Sequence, residues 1–552
     1  MAQEVSSSKQ LSRTELIVSW FLPNLGDVIF ILVLVFLLRL LPNFVFFDGS
    51  TGWHIVTGQY VLQHWVPGRD VISYTFANSP WVAYEWLSDS LMALLERLGN
   101  GDLNLLAVAV SSAIAALMLL LYDRCRKEGA NFLLALVIVL IGAIISAIHW
   151  LARPHIFCFY GVYFFSIWLE DFWQSKLSVK QFLSRIMLFM ILWVNTHPAF
   201  LIGFALIAIY LSSSLLLWII NLRTTNAAEH RRKAQVLISA VVLCVVATFI
   251  NPYGVGLHEY LLHYMKANAA VANATNEFFS PVFHGALQPS CLEILFALFI
   301  IGLSISRNRL SLPRLLTCLA FTHLTLSAVR SMPLYVIVIL PAVSQLFAEV
   351  SIGGNHVQNA ERQPWWKPLC LKWQRMNVIF TENERLCSKH ALSVVIFLFL
   401  SIVALNHGQF FGSRLLNSGW SEDDKPTRTI DYLQKAESNG QLDPDRGFNY
   451  DNWGGYLRYK LGKRVLIDDR GEFYSPDFYT KYTVVIFDQA GRKDMLDGKI
   501  YDGTAKAGSS VQWVLIPKNL PLALALRNDP QWGPPVVEDG ASVLFVRRSK
   551  QN

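Results

Sequence analysis

Between residues 27 and 406 the chain carries eleven runs of mostly apolar residues, and no other feature constrains its fold as tightly. The runs cover 27–46, 104–122, 130–152, 156–173, 184–196, 198–221, 235–250, 291–306, 314–329, 332–350 and 390–406. A membrane helix needs about 20 such residues, with a range of about 17–25. In lipid the backbone must satisfy its own hydrogen bonds, which leaves helices as the form these runs can take. The 184–196 run is the weakest, and Asn195-Thr196-His197-Pro198 reads as a break, because Pro donates no backbone hydrogen bond. Only 16% of residues are charged, against about 25% in soluble domains. That excludes an ordinary soluble enzyme and a disordered chain. After residue 406 the composition becomes ordinary. The sequence therefore predicts a polytopic α-helical membrane protein with about eleven transmembrane helices and a small C-terminal soluble α/β domain. Its segments are 1–26, 27–406 and 407–552. The N-terminal segment lacks a compact apolar stretch followed by a cleavage site, so the first run is expected to remain as a membrane helix.

Charge orients these helices. One alternating set of loops holds Arg124, Arg126 and Lys127, then Lys176, Lys180 and Arg185, then Arg223, Arg231, Arg232 and Lys233. It continues with Arg307, Arg309 and Arg314, and with Arg362, Lys367, Lys372, Arg375, Arg385 and Lys389. The other set holds only Arg69, Arg97, Arg153, Lys266 and Arg330. The positive-inside rule makes the first set and the N-terminus cytoplasmic. Eleven crossings then put the C-terminal domain outside the membrane. The net charge of +7 sits in these short loops, which favours membrane topology over nucleic-acid binding. The seven cysteines form no CxxC pair and none falls in the tail, so neither a disulfide framework nor a zinc motif is indicated.

Polar residues collect at one level. The odd-numbered runs end in Phe47-Asp48-Gly49-Ser50-Thr51-Gly52-Trp53-His54, Arg153-Pro154-His155, Asn195-Thr196-His197-Pro198, Asn251-Pro252-Tyr253-Gly254 and Arg330-Ser331-Met332-Pro333. Ionisable groups at membrane depth are costly and usually line a cavity. Five clusters at one level predict a polar cavity opening to the outer side. Helix capping is the alternative, although capping favours Ser, Thr and Asn over Arg and His.

The segment 47–103 is too long for a simple connection. Residues 55–63 read as a short amphipathic helix lying on the membrane surface. Residues 71–76 read as strand-like, and 80–98 open a second amphipathic helix with interfacial Trp residues.

This layout resembles the GT-C superfamily of membrane glycosyltransferases, which use sugars carried on polyprenyl phosphate. Asp48 stands at the family's acidic position after the first span, and the two juxtamembrane helices match TGQYVLQHWVPGRD and PWVAYEWLSDSLMALLERLG. The ordered set DGSTGWH, RPH, WVNTH, NPYG, WGGYL and DDR is similar to uncharacterised bacterial multispan members of that superfamily and covers most of the chain. Well-known members carry paired acids after the first span, whereas Gly49 follows Asp48 here. The resemblance implies a donor of polyprenyl-phosphate-linked sugar, an envelope glycan, lipid or protein acceptor, and inversion at the anomeric carbon.

Such a transfer needs a base for the acceptor hydroxyl, stabilisation of the leaving phosphate and exclusion of water. Asp48 is the candidate base, with helix N-capping as the alternative. His54 is a partner of Asp48, a metal ligand or an interfacial side chain, so Asp48 and His54 are the candidate ligands if a divalent metal is used. Glu85 is a second acid or a complement to a helix dipole. Arg153 and Arg330 suit a phosphate, because the guanidinium fork stays charged when partly buried; interface anchoring is the alternative. His155, Asn195, His197 and Glu277 are further substrate-contact candidates. Arg39, inside the first run, has no assignment, and the Asn273-Ala274-Thr275 sequon reads as incidental.

In the tail, 446–450, 463–469, 511–517 and 541–548 read as short buried strands, with helices at IDYLQKAES and NLPLALALRND. Asp468, Asp469, Arg470 and Glu472 read first as a solvated turn and second as a site at a strand end. The tail is expected to act as an acceptor-recognition or lid module. Two rivals stand beside the transferase: a transporter or flippase of lipid-linked sugars, and a non-catalytic membrane scaffold.

Overall fold

The computed structural model describes residues 19–77, 79–271, 276–284, 287–348, 367–387, 389–488, 490–498 and 510–548. The sequon at 273–275 and Arg362 lie outside them. The chain runs α1 (Leu25–Val35), α2 (Thr51–His64), α3 (Trp86–Leu98), α4 (Asn104–Lys127), α5 (Phe132–Ser146), α6 (His155–Trp173) and α7 (Val179–Val194). It continues through α8 (Leu201–Ile220), α9 (Ala227–Thr248), α10 (Val255–Val271), α11 (Leu287–Ile305), α12 (Leu312–Ser327), α13 (Met332–Leu346), α14 (Lys367–Leu386) and α15 (Ala391–Leu405). Each of the eleven apolar runs coincides with a helix. Among the described residues, five helices are long and apolar enough to cross a membrane: Asn104–Lys127, Phe132–His149, Pro198–Ile220, Leu287–Ile305 and Val329–Leu346. Leu216, Ile219, Ile220, Ile300 and Ile301 point outward from them, 47–67% exposed. Soluble monomers rarely leave so much contiguous apolar surface bare, which marks an integral membrane protein.

Local chemistry sets the helix ends. Asn24 with Asp27 and Ser178 with Gln181 form capping boxes that open α1 and α7. Asn195 ends α7, and His197 and Pro198 open a short turn before α8, so the chain breaks between helices where the sequence places it.

The tail holds α16 (Thr427–Ser438), α17 (Asp451–Leu461), α18 (Pro476–Phe487), α19 (Arg492–Leu496) and α20 (Pro521–Arg527). A small hairpin joins β1 (Gln409–Phe410) and β2 (Ser413–Arg414). The main sheet has the order β3 (Gly447–Asn449), β4 (Trp513–Pro517), β6 (Ser542–Val546), β5 (Val537–Glu538). β3 runs parallel to β4, and the other pairs are antiparallel.

Three expectations change. Residues 463–469 form no strand, only the isolated bridge of Val465 to Ser73. Val465 pairs with the backbone of Ile72 and Tyr74 instead, and Asn449 and Tyr474 bond the stretch from 466 to 468. Residues 71–76 form only one isolated bridge, from Ser73 to Val465, because Asp70 folds the loop by accepting from Ile72 and Ser73. Finally, α2 is not an exposed amphipathic helix. It is buried along Thr51–Gly58 and packed between α3 and α17.

Glycines permit that packing. A Cβ at Gly52 would collide with the Gly455 carbonyl oxygen, and a Cβ at Gly455 would lie 2.6 Å from the Gly49 oxygen and 3.0 Å from Trp53 N. A Cβ at Gly58 would strike the Asp89 carbonyl. The first loop and α17 therefore meet backbone to backbone, and the tail is bound into the body of the protein.

Candidate active site

The starts of α2, α3, α6, α8 and α13 and the middle of α10 meet the tail around one cavity of about 400 Å³. Its wall includes His54, Glu85, Arg153, His155, His197, Glu277 and Arg330, seven of the nine candidate side chains. Asp48 sits behind Arg153, with Oδ2 3.3 Å from Nε. Asn195 is outside the wall. Its Oδ1 accepts from Trp86 Nε1 at 2.9 Å, and its Nδ2 donates to the Ile191 and Ile250 carbonyls, so it ties α3 to the α7 and α9 ends. Tyr253 of NPYG works similarly, donating to the Pro67 carbonyl and accepting from Ala83 N.

The cavity has a cationic side and an acidic side. On the cationic side, Arg330 lies 3.7 Å from Glu277 and stacks over Phe278 at 4.4 Å. His155 Nε2 donates to the His149 carbonyl at 2.7 Å. Burial opposes ionisation of Asp48, but Arg153 and the bonds from Ser50 outweigh it and hold the carboxyl below its ordinary range. The same pair acts on Arg153: burial opposes its charge, and Asp48 and Glu277 restore and strengthen it.

On the acidic side, His54 Nδ1 is 2.7 Å from Asp89 Oδ1 and 3.8 Å from Glu85 Oε2. His197 Nδ1 accepts from Ala199 N, so a neutral ring carries its proton on Nε2, 3.5 Å from Glu85 Oε1. Burial pushes Glu85 up to about 8, with Arg153 pulling it down and Glu472 raising it. Burial, with Glu85 beside it, raises Asp89 well above the carboxylate range. Burial and the charge of Arg153 hold His54 well below the usual imidazole value.

Asp89 has no role assigned from sequence, and the 468–472 cluster is more than the solvated turn expected first. Asp89 lies one helical turn after Glu85, and that i, i+4 spacing was the legible signal. The cluster expected first as a solvated turn is buried: Asp468 is 0% and Arg470 2% exposed. Asp469, Arg470 and Glu472 line the cavity. Arg470 donates to Asp468 through Nε at 2.8 Å and Nη2 at 2.7 Å, and to Asp70 at 2.9 Å, while packing over Trp81 and Phe473.

His54, Glu85 and Asp89 could hold a metal ion, since one ligand atom from each lies within 4.8 Å of the others. Asp89 Oδ2 is buried without a hydrogen-bond partner, which fits a cation. Asp48, committed to Arg153, is not part of that group.

The arrangement is an apolar bundle whose ends hold Arg153 and Arg330 in one cavity with buried acids. No protein-family model and no curated protein matches the chain. The solved structures similar to it include the oligosaccharyltransferase of Archaeoglobus fulgidus in its apo form. That match has 12% identity and a TM-score of 0.49, covering 89% of this chain and 69% of that one. The same enzyme tethered to an acceptor peptide containing an NVT sequon gives 12% identity and a TM-score of 0.49, over 90% and 70%. The archaeal AglB in complex with an inhibitory peptide and a dolichol-phosphate gives 12% and 0.47, over 89% and 69%. These neighbours are membrane glycosyltransferases of the GT-C superfamily.

Proposed function

We propose that this protein is a membrane glycosyltransferase that moves a sugar from a polyprenyl-phosphate donor to an acceptor on the extracytoplasmic face of a bacterial plasma membrane, with inversion. The observation that carries this reading is the pairing of Arg153 and Arg330 with a wall of acids in one cavity at the end of an apolar bundle. A lipid tail can lie against the bundle while its phosphate enters between the two arginines. Bidentate guanidinium contacts favour phosphate and strengthen as the leaving group gains charge.

The acceptor oxygen attacks C1 from the face opposite the phosphate. The new C1–O bond forms as the C1–O–P bond breaks, and the electron pair leaves with the phosphate. His155, His197 and Glu277 are assigned to substrate contact, and Asp48, His54 and Glu85 to the reacting side. Asn195 serves by positioning Trp86. A divalent cation would be held by His54, Glu85 and Asp89, where it would supply electrostatic stabilisation of an anionic substrate group. In this reading the N-terminus is cytoplasmic, residues 27–406 form the membrane domain, and residues 407–552 form an extracytoplasmic domain that completes the cavity wall.

The test is transfer from polyprenyl-phosphate sugars in purified membranes. Asp48→Asn and Arg330→Ala should each lower transfer at least tenfold. Full activity in both variants would refute the assignment.

A further inference from the structure

The tail supplies a carboxylate, Asp469, beside Asp48. Ser50 joins the two acids: its backbone N donates to Asp48 Oδ2 at 3.0 Å, and its hydroxyl donates to Asp469 Oδ2 at 2.7 Å, across 419 residues of sequence. Trp53 Nε1 donates to Asp469 Oδ1 at 2.8 Å. Each Asp469 oxygen thus receives one fixed donor and keeps a further lone pair, and the residue lines the cavity.

The two acids are compensated differently. Asp48 is in contact with Arg153 through both oxygens, at 3.3 and 3.4 Å. Asp469 makes no ion pair among the described residues. A carboxylate clamped by a guanidinium is a weak proton acceptor. One oriented by neutral donors keeps more of its basicity.

We propose, building on the transferase reading, that Asp469 of the C-terminal domain is the residue that takes the acceptor's proton, while Asp48 holds Arg153 for the donor phosphate. As the acceptor O–C1 bond forms, its O–H proton passes to Asp469, and the phosphate departs with the C1–O electron pair toward Arg153 and Arg330. The proton is later released to water.

The surroundings suit that task. Burial, with Asp48 and Asp468 nearby, raises Asp469 to about 7, while Arg153 and the Ser50 hydroxyl pull it down. A base whose pKa lies near the working pH combines a well-populated ionised form with strong proton affinity. The turn carrying it is rigid. Asp468 is locked by Arg470 and by the Tyr474 hydroxyl, which donates to its Oδ2 at 2.9 Å. Gly454 lets α17 approach the Ile467 and Asp468 backbone directly. The tail therefore contributes a reacting group, a stronger role than a lid.

The experiment uses the full-length protein in vesicles of phosphatidylethanolamine and phosphatidylglycerol, a panel of undecaprenyl-phosphate hexoses and pentoses, and an envelope fraction as acceptor. Undecaprenyl-phosphate binding is measured alongside. Asp469→Asn should lower kcat about 100-fold or more, with donor KM and undecaprenyl-phosphate affinity changed less than twofold. Asp469→Glu should recover at least tenfold over Asn. Wild-type kcat should rise through a pH near 7, and that limb should vanish in Asp469→Asn. Asp48→Asn should instead weaken undecaprenyl-phosphate binding. The base assignment is overturned if Asp469→Asn keeps more than a tenth of kcat, if its phosphate binding falls together with kcat, or if Asp469→Glu recovers nothing. Absence of transfer by the wild-type protein with every donor would overturn the transferase reading itself.

Discussion

Gly455→Ala offers a clean perturbation, because two physical effects of known size oppose each other. Gly455 lies inside α17, where Ala in place of Gly favours the helix by about 0.5–1 kcal/mol. Its new Cβ would sit 2.6 Å from the Gly49 carbonyl oxygen and 3.0 Å from Trp53 N, where an ordinary contact begins near 3.4 Å. Relief requires α17 to withdraw from the first loop by several tenths of an ångström. Two of the close neighbours are backbone, and the third, Trp53 Cδ1 at 3.0 Å, belongs to a buried ring bonded to Asp469, so no side chain can simply rotate away. Overpacking of this kind costs about 1–3 kcal/mol. The net expectation is a loss of about 1–2 kcal/mol in tail docking, or five- to thirty-fold in the docking equilibrium. Gly256→Ala is the matched control, since Gly256 is also helical and has no atom within 4 Å of its would-be Cβ. Hydrogen exchange of the Trp53 and His54 amides and thermal unfolding report the result. Faster exchange and a lower Tm in Gly455→Ala, with neither in Gly256→Ala, support the interlock. Equal or greater stability of Gly455→Ala would show that the tail does not rest on the first loop as described.

Other consequences follow from the same geometry. Arg470→Met leaves Asp468 and Asp70 buried without their cation, which should cost about 3–5 kcal/mol, read by thermal unfolding. Glu85 is raised above its unfolded value, to about 8, so the stability it contributes is present at pH below about 4.5 and is lost as pH rises to 8. Glu85→Gln should therefore flatten the fall in Tm between those limits, and an unchanged Tm–pH curve would refute that sign. Manganese titration followed by EPR should show one bound ion that disappears in Asp89→Ala, whose carboxylate has a buried unpartnered oxygen. Arg153→Ala should weaken undecaprenyl-phosphate binding at least tenfold, measured by native mass spectrometry.

Much of the site was legible because helix ends share a level. Arg153, His155, His197 and Arg330 follow apolar runs on the same side, and a bundle brings such ends together however its helices pack. The tail's share was less legible. Asp468 to Glu472 carry charges that read as a solvated turn, and only the fold reveals that Arg470 neutralises Asp468 and Asp70 in a buried cluster. The burial of residues 55–58 was hidden for a related reason. The partner that covers the start of α2 is α17, some four hundred residues later, and the hint was two glycines, Gly49 and Gly52, which admit its backbone. The expected strand at 463–469 does not form, because its Val465 bonds to the first loop rather than to the sheet.

The most direct measurement of the central claim is the pool of polyprenyl-phosphate sugars and the envelope glycans of cells with and without this protein, analysed by mass spectrometry. The account predicts that one polyprenyl-phosphate sugar accumulates and one sugar is lost from an envelope product when the protein is absent, and that Arg153→Ala and Asp469→Asn reproduce both changes. Unaltered lipid-linked pools and unaltered envelope glycans would contradict it.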